Sequence, residues 1–388
     1  MPSETKPLVT IRCLVYNHED TIRQCLDGFV MQQTDFPFEA VVHDDASTDA
    51  SASIIREYAE RYPDIIRPIL GTENQYSKGG GVLKRIMDEA TRGIYVALCE
   101  GDDAWLDPLK LQKQVNYLEE HPDCSMVCSD AVIRTEQGDL TEADLDQWRW
   151  PRYHENRDAS VADLILNGGW FLHTASIIYR GELREDYPEA CQKCNIGDWP
   201  LQIFMGLKGK VHYFAEKMVL YRFAMGNSWT ARDLVSSSDS PQKRFWGWKS
   251  QLDMLESLDD YSKRLYHFSF RLAAAHLVSR MVQRFPVFHD AILEQFGYVL
   301  RRSYIPAPAT EEEREALQHF RQEWKAIRSR ASHTLRFCGI PLASCLRDKS
   351  GTTRRILGIK VWQKEIGEKA IVRRFLGIPV HRRSLSPS

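Results

Sequence analysis

The sequence predicts an α/β protein built on a mostly parallel, doubly wound sheet with helices on both faces. Three observations carry that expectation. Short apolar, β-branched runs alternate with amphipathic stretches through the first 120 residues, a β-α-β-α order that a right-handed parallel sheet accommodates. Two of those runs end abruptly in acids, Asp44-Asp45 and then Glu100, Asp102 and Asp103. Open α/β sheets bind ligands beyond the carboxyl ends of their strands. The pattern then turns helical from Phe245 to Ala331 and finishes in a basic, repetitive tail.

The elements follow in order. Leu8–Val15 reads as the first strand, and Tyr16-Asn17-His18-Glu19 as the loop after it. Asp20–Met31 is a helix with Ile22, Leu26, Phe29 and Val30 on one face. Phe38–His43 is the second strand, and Ser47 or Thr48 is expected to cap a helix from about Ala50 to Tyr62. Ile65–Leu70 makes a third strand, 72–81 a polar Gly-rich loop, and Val82–Thr91 a helix. The fourth strand, beginning at Ile94, runs into the acids at 100–103. Pro108–Glu120 is a helix with Leu109, Leu111, Val115 and Leu118 inward, and Ser125–Thr135 a strand. Polar, Trp-rich residues 140–156 form a loop or lid. Val161–Leu166 is a short helix broken by Gly168-Gly169, and Phe171–Tyr179 a strand. Asn195–Pro200 is a turn ahead of a helix Leu201–Gly206, and Lys210–Phe214 with Met218–Tyr221 a hairpin. A linker near 236–241 divides residues 1–235 from a helical module, 242–330, and a tail, 331–388.

Charge and cysteine content narrow the class. The 388 residues carry a formal net charge of −2, with 43% hydrophobic and 11% aromatic residues, ample for a core and unlike a nucleic-acid binder. The tail alone has 12 Lys+Arg against 3 acids, +9, leaving −11 for the other 330 residues. Nine scattered cysteines, with Cys191-x-x-Cys194 as a lone pair, read as free thiols of a reducing cytoplasm. No leading basic-then-apolar segment and no long apolar run is present, so the expectation is a cytoplasmic protein, soluble or held at the inner face of a membrane. Within the tail, Phe337-Cys338-Gly339-Ile340, Ile356-Leu357-Gly358-Ile359 and Phe375-Leu376-Gly377-Ile378 repeat at a constant spacing of 19. Repeats this short must stack or lie on something.

The acids define the chemistry. Carboxylates at the end of a buried strand are costly unless a cation joins them. Mg²⁺ or Mn²⁺ suits one or two carboxylates completed by substrate phosphates and water. A solvated acidic turn is the plain alternative. For Asp44 and Asp45 the plain alternative is a helix N-terminus that favours acids.

Five motifs in order resemble the inverting family-2 glycosyltransferases of the GT-A fold: Val15-Tyr16-Asn17-His18-Glu19, His43-Asp44-Asp45-Ala46-Ser47-Thr48-Asp49, Glu100-Gly101-Asp102-Asp103-Ala104-Trp105, Asp107-Pro108-Leu109-Lys110-Leu111-Gln112 and Gly197-Asp198-Trp199-Pro200-Leu201. They span about Pro7 to Tyr221. The resemblance implies transfer of a sugar from a nucleotide donor, UDP-linked, to a hydroxyl of a glycan or lipid-linked acceptor. It makes Asp102 a metal ligand supported by Glu100 and Asp103. Tyr16 with Asp44 and Asp45 would hold base and ribose, Glu19 would lie nearby, Lys84 would sit near the diphosphate, and Asp198 would be the general base. The chain departs from the pattern after Tyr221-Arg222, where members often carry a His. Here Arg222 or His173 is left to compensate.

Two rivals differ in class. A sugar nucleotidyltransferase would want a Gly-rich, basic loop after the first strand, where Tyr16-Asn17-His18-Glu19 stands. A non-catalytic nucleotide-sugar-binding scaffold of a polysaccharide-assembly complex would not turn over its donor. The helical module is expected to pack or to mediate a homo-oligomer.

Overall fold

The computed structural model describes residues 6–78, 81–148, 152–169, 171–225, 241–284, 289–300 and 308–315, together with the strand residues between 332 and 384. Two compact units divide the chain, residues 1–147 with 152–164 and 168–240, and residues 148–151 with 165–167 and 241–388.

The first unit is organised by one sheet. Its elements are β1 (Val9–Val15), α1 (Ile22–Val30), β2 (Phe38–Asp44), α2 (Ser51–Arg61), β3 (Ile66–Leu70), α3 (Gln75–Lys78), α4 (Val82–Ala90), β4 (Tyr95–Glu100), β5 (Ala104–Trp105), α5 (Lys110–Glu120), β6 (Cys124–Thr135), β7 (Gly138–Asp139), α6 (Glu142–Trp148), β8 (Arg157–Asp158), α7 (Val161–Leu166), β9 (Ile178–Arg180), α8 (Glu189–Lys193), α9 (Asp198–Lys208) and β10 (Lys210–Arg222). The order is β3-β2-β1-β4-β9-β6-β10-β5, with β7 beside β6 and β8 beside β10. β3, β2, β1 and β4 are parallel, as are β6 and β10, and antiparallel β9 joins the two sets. Strands covered on both faces must be apolar along their length. Ile11, Cys13, Val41, Val42, Ala97, Met126 and Val127 are fully buried.

Several expectations change on contact with the structure. Residues 171–177 do not extend the strand: Thr174–Ser176 turn as a 3₁₀ helix, and β9 keeps only three residues. Lys210–Arg222 is one strand rather than a hairpin. It runs parallel to β6, and register shifts between Phe214 and Val219 take up the residues read as a turn. Ser47 and Thr48 do not cap α2. Asp49 Oδ1 accepts the Ser51 N–H at 2.9 Å instead, and Ser47 Oγ accepts from Asn17 N at 2.9 Å. Leu109 is 40% exposed rather than inward, because the helix begins at Lys110, two residues later than expected, and buries Leu111, Val115 and Leu118. The expected linker at 236–240 lies outside the described residues. Cys13, Cys25, Cys99, Cys124, Cys128, Cys191 and Cys194 are free thiols.

Among the buried charged residues of this unit, Glu39 and Lys110 show how neighbours offset the cost of burial. Glu39, at the amino end of β2, is buried, which alone would raise its pKa. The Arg92 guanidinium, the Thr10 hydroxyl at 2.9 Å and Arg67 at 2.9 Å together hold it below the usual range. Lys110 is fully buried at the start of α5, donating to Gln114 Oε1 at 2.8 Å with its ammonium 4.2 Å from the Trp105 ring centroid. Trp105 in turn donates its indole N–H to Ala175 O at 2.8 Å. Burial pushes the Lys110 pKa down to about 7.

The second unit holds α10 (Pro241–Tyr261), α11 (His267–Arg284) and α12 (His289–Phe296). Met254, Leu255, Leu258, Val278, Met281 and Ile292 are buried within it. Thr310 and Glu313 form a capping box: Glu313 N–H donates to Thr310 Oγ1 at 3.1 Å, and the fully buried Glu313 carboxylate accepts from Ala309 N at 2.8 Å and Ser269 N at 2.9 Å. The tail forms a separate antiparallel sheet whose strands, β11 (Ser332–Phe337), β12 (Ile340–Asp348), β13 (Gly351–Ile356), β14 (Ile359–Ile366), β15 (Ala370–Phe375) and β16 (Ile378–Ser384), are neighbours in sequence order. Gly339, Gly358 and Gly377 lie outside the described residues.

Lys110 gives the fold a pH signature. Its folded pKa lies below the value of an unfolded lysine, so its share of stability is complete above about pH 10.5 and is lost as pH falls through about 7. Lys110→Met removes that dependence. Thermal midpoints measured from pH 6 to 10 should rise less steeply for the variant than for the wild type. Parallel curves would show that the ammonium is not desolvated.

Candidate active site

The site is assembled from loops at the carboxyl ends of β1, β2 and β4 and from the last residues of β10. The first two loops are laced together. Asn17 adopts a left-handed backbone (φ 57°), and its Oδ1 accepts the Thr48 N–H at 2.8 Å. His18 N donates to Ser51 Oγ at 2.8 Å and Glu19 N to Asp49 Oδ2 at 3.0 Å, while Glu19 Oε2 accepts the Ala50 N–H at 2.9 Å. Glu19 therefore braces the β1 and β2 loops. Tyr16 stands at the rim with 41% of its surface exposed.

Asp44 and Asp45 differ sharply although both are buried. Asp45 is fully engaged, with Oδ1 accepting Gln75 N at 2.7 Å and Oδ2 accepting Tyr76 N at 2.9 Å, which caps α3. Asp44 gives Oδ2 to the Ser47 N–H at 3.0 Å, and its buried Oδ1 has no partner. A buried acceptor with no partner is rare enough to call for an explanation.

The acids after β4 are held by a tight turn. Gly101 N donates to Leu14 O at 2.9 Å, and Thr21 Oγ1 donates to Gly101 O at 2.9 Å. A Cβ on Gly101 would lie 2.8 Å from His18 Nδ1 and 2.9 Å from Val15 Cγ2, so only glycine lets the loop approach β1 this closely. Arg222, the last residue of β10, ties the loop down. Its guanidinium Nη1 donates to Asp102 O at 2.6 Å, its backbone N–H to Asp103 Oδ1 at 3.0 Å, and Nη2 to Gln24 Oε1.

Electrostatically the loop is short of positive charge. Crowding by protein and then the charges of Asp102 and Asp198 push the Glu100 pKa up to about 8, although the residue still meets solvent in the cleft. Burial, then Asp102, raises Asp103 well above the carboxylate range. The side chains of Glu100 and Asp102 make no hydrogen bond or ion pair among the described residues. The same residues contain no group of three or more His, Cys, Asp or Glu placed to enclose a metal alone. The donor set fits a hard divalent cation that takes Asp102 and Glu100 and completes its shell from phosphate oxygens and water. Asp103 serves the loop, with one oxygen on the Arg222 amide.

Asp198 opens α9, and its charge is among those that raise the Glu100 pKa, after burial and Asp102. Trp199 N–H donates to Asp198 Oδ1 at 2.8 Å, and burial raises the Asp198 pKa. Gly169, at φ +83°, leaves room there: a Cβ on it would lie 3.4 Å from Asp198 Oδ2. Lys84 is placed elsewhere. Its ammonium is 4.4 Å from the Tyr187 ring centroid, burial and then Arg184 lower its pKa to about 8, and Asp88 and Arg12 are its other charged neighbours of note. His173 is buried against Tyr221 at 4.7 Å between ring centroids, with its pKa pushed down to about 4, so it stands neutral at pH 7. Arg222, by contrast, is at the acids. Gln24, Thr21 and Gly169 were not singled out as site residues from the sequence. The Gly168-Gly169 pair was visible only as a helix breaker.

A mostly parallel sheet joined through one antiparallel strand, with acids gathered at the carboxyl end of β4, defines a GT-A-type α/β unit. Residues 13–172 match the model described as Glycosyl transferase family 2, and that stretch is a glycosyltransferase domain of this family. An uncharacterized protein of Mycobacterium tuberculosis is 37% identical over 240 residues, 61% of this chain and 63% of that protein, so the match spans under two thirds of the relative's length. An uncharacterized glycosyltransferase of Nostoc sp. is 28% identical over 55% of this chain and 64% of its own. Among solved structures, Staphylococcus aureus TarS 1–349 in complex with UDP-GlcNAc aligns with a TM-score of 0.50 at 15% identity, covering 90% of this chain and 96% of that one, a likeness of fold.

The Arg222 tie is open to test. Arg222→Met strands the Asp102 carbonyl and removes the cation beside Asp103. A hydrogen bond to a charged group is worth about 1.5–3 kcal/mol. Chemical denaturation should show a loss of that order, and an unchanged unfolding free energy would show that the tie bears no load.

Proposed function

We propose that the chain transfers a sugar from a nucleotide-sugar donor, UDP-linked, to a hydroxyl of a glycan or lipid-linked acceptor, by a single inverting displacement that depends on Mg²⁺ or Mn²⁺. The observation that carries this reading is the pairing of unneutralised acids, Glu100 and Asp102, with Asp198 across one cleft of a family-2 domain. The exposed Tyr16 ring suits stacking on the base, and the orphan Asp44 Oδ1 suits a base or ribose donor group. Asp45 supports that contact by fixing α3. Asp102, with Glu100, would hold the cation, which supplies positive charge to the departing diphosphate.

Asp198 does the proton chemistry. Oδ1 is held by the Trp199 N–H, which leaves Oδ2 for the acceptor hydroxyl. A carboxylate with a raised pKa is a better base once ionised. Arg222 keeps the acid loop in place while the leaving group departs. Catalysis then belongs to residues 1–235, and the helical segment serves packing or self-association.

Two substitutions test the assignment. Asp102→Ala should abolish Mn²⁺-dependent affinity for a nucleoside diphosphate, read by calorimetry, while circular dichroism stays unchanged. Undiminished metal-dependent binding refutes the metal role. Asp198→Asn keeps the size of the side chain but cannot accept a proton, so turnover should fall by roughly 10²–10⁴ with donor binding retained. Near-wild-type turnover, or a product that keeps the donor's anomeric configuration by NMR, rejects the mechanism.

A further inference from the structure

The 19-residue period of the tail is one bulged β-hairpin. β11–β12, β13–β14 and β15–β16 are the three copies, and each breaks register at the same place, between Leu335 and Arg336, Arg354 and Arg355, and Arg373 and Arg374. Because β11, β13 and β15 run in one direction, all three hairpin ends lie at the same end of the sheet. Neighbouring ends are two strands apart, about 10 Å.

That end has a distinct composition. The last register pair of each hairpin is apolar: Phe337 with Ile340, Ile356 with Ile359, Phe375 with Ile378. The sequence between the partners is Cys-Gly, Leu-Gly and Leu-Gly. One residue behind each apolar pair stands an arginine, Arg336, Arg355 or Arg374, the same position in every copy. The acids sit at the other end. Asp348 pairs with Gly351, which pairs with Glu365. Among the described strand residues, Asp348 and Glu365 therefore lie at the end away from the apices, in company with Arg347, Lys364, Arg382 and Arg383, whereas the apex end carries the arginine row with no acid.

We propose that the hairpin end of this sheet docks on an anionic lipid surface, with the three apolar apices seated among the headgroups and the arginine row facing lipid phosphates. A basic row attracts any anion, but a row led by apolar apices matches an interface that is charged outside and hydrocarbon within. A nucleic acid or other soluble polyanion offers the apices nothing. Three apices give shallow attachment, in keeping with the absence of a membrane-crossing helix among the described residues. This inference is independent of the transfer chemistry, since no residue of the tail belongs to the site above.

The test is co-sedimentation of the full chain with vesicles of phosphatidylcholine alone or mixed with phosphatidylglycerol, at low and high salt. Binding is expected on the anionic vesicles only and should weaken with salt. Three full-chain variants sort the contributions. R336Q/R355Q/R374Q should lose at least tenfold in affinity, R336K/R355K/R374K should keep most of it, and F337S/I356S/F375S should weaken vesicle binding while leaving retention on heparin unchanged. Circular dichroism and thermal midpoints establish that each variant folds. Absent binding, equal binding to neutral vesicles, or full binding by the folded glutamine variant overturns the proposal. Heparin retention lost together with vesicle binding in the serine variant also overturns it, because the apices would then not be reading lipid.

Discussion

Like charges forced together at the carboxyl end of β4 are the constraint around which the first unit is arranged. Glu100, Asp102 and Asp103 repel one another at short range, and the surroundings neither disperse them nor fully neutralise them. The loop is pinned instead through its backbone: Leu14 O and Thr21 hold Gly101, and Arg222 holds the Asp102 carbonyl. Pinning by backbone groups and by one oxygen of Asp103 leaves the Glu100 and Asp102 carboxylates free, an arrangement that suits a cation and a diphosphate. A loop tied by its carboxylates would be more stable and could bind neither.

The same division of labour runs through the neighbouring loops. Of two adjacent, buried aspartates, Asp45 is consumed by the start of α3 and Asp44 keeps an open oxygen. Glu19 and Asp49 cross-brace the β1 and β2 loops so that Tyr16 is presented from a fixed base. Nearby polar residues that look equivalent in sequence thus divide into supports and contacts, and hydrogen-bond occupancy separates them.

Much of this was legible in the residues. The first four strands and their helices are short apolar runs with clear periodicity, and the acids stand at the carboxyl ends of two of them, β2 and β4. What the sequence hid is long-range or irregular. Nothing local in Thr174–Ser176 forbids an extended strand; the turn there accompanies Ala175 O meeting the Trp105 indole. The residues 215–217 have turn-like polarity, yet β6 is long enough to pair with the whole of β10, and a bulge costs less than a reversal. Arg222 could be suspected only as a replacement cation, because the groups it joins lie 119 and 120 residues earlier in the chain. Lys84 could be read from the sequence only as a basic residue at a suggestive position; its ammonium lies over the Tyr187 ring, a partner 103 residues later in the chain.

The repeated bulge of the tail sheet fixes how such a segment can change length. A bulge at the same place in each hairpin sets the twist of every copy, so neighbouring copies are interchangeable and the sheet grows by addition at an outer strand without disturbing those already present. Whole 19-residue units can be gained or lost this way. An insertion of an odd number of residues inside a strand would throw its alternation of faces out of phase with the next copy. Odd changes of length are therefore kept out of the strands and fall to the connections or to whole hairpins.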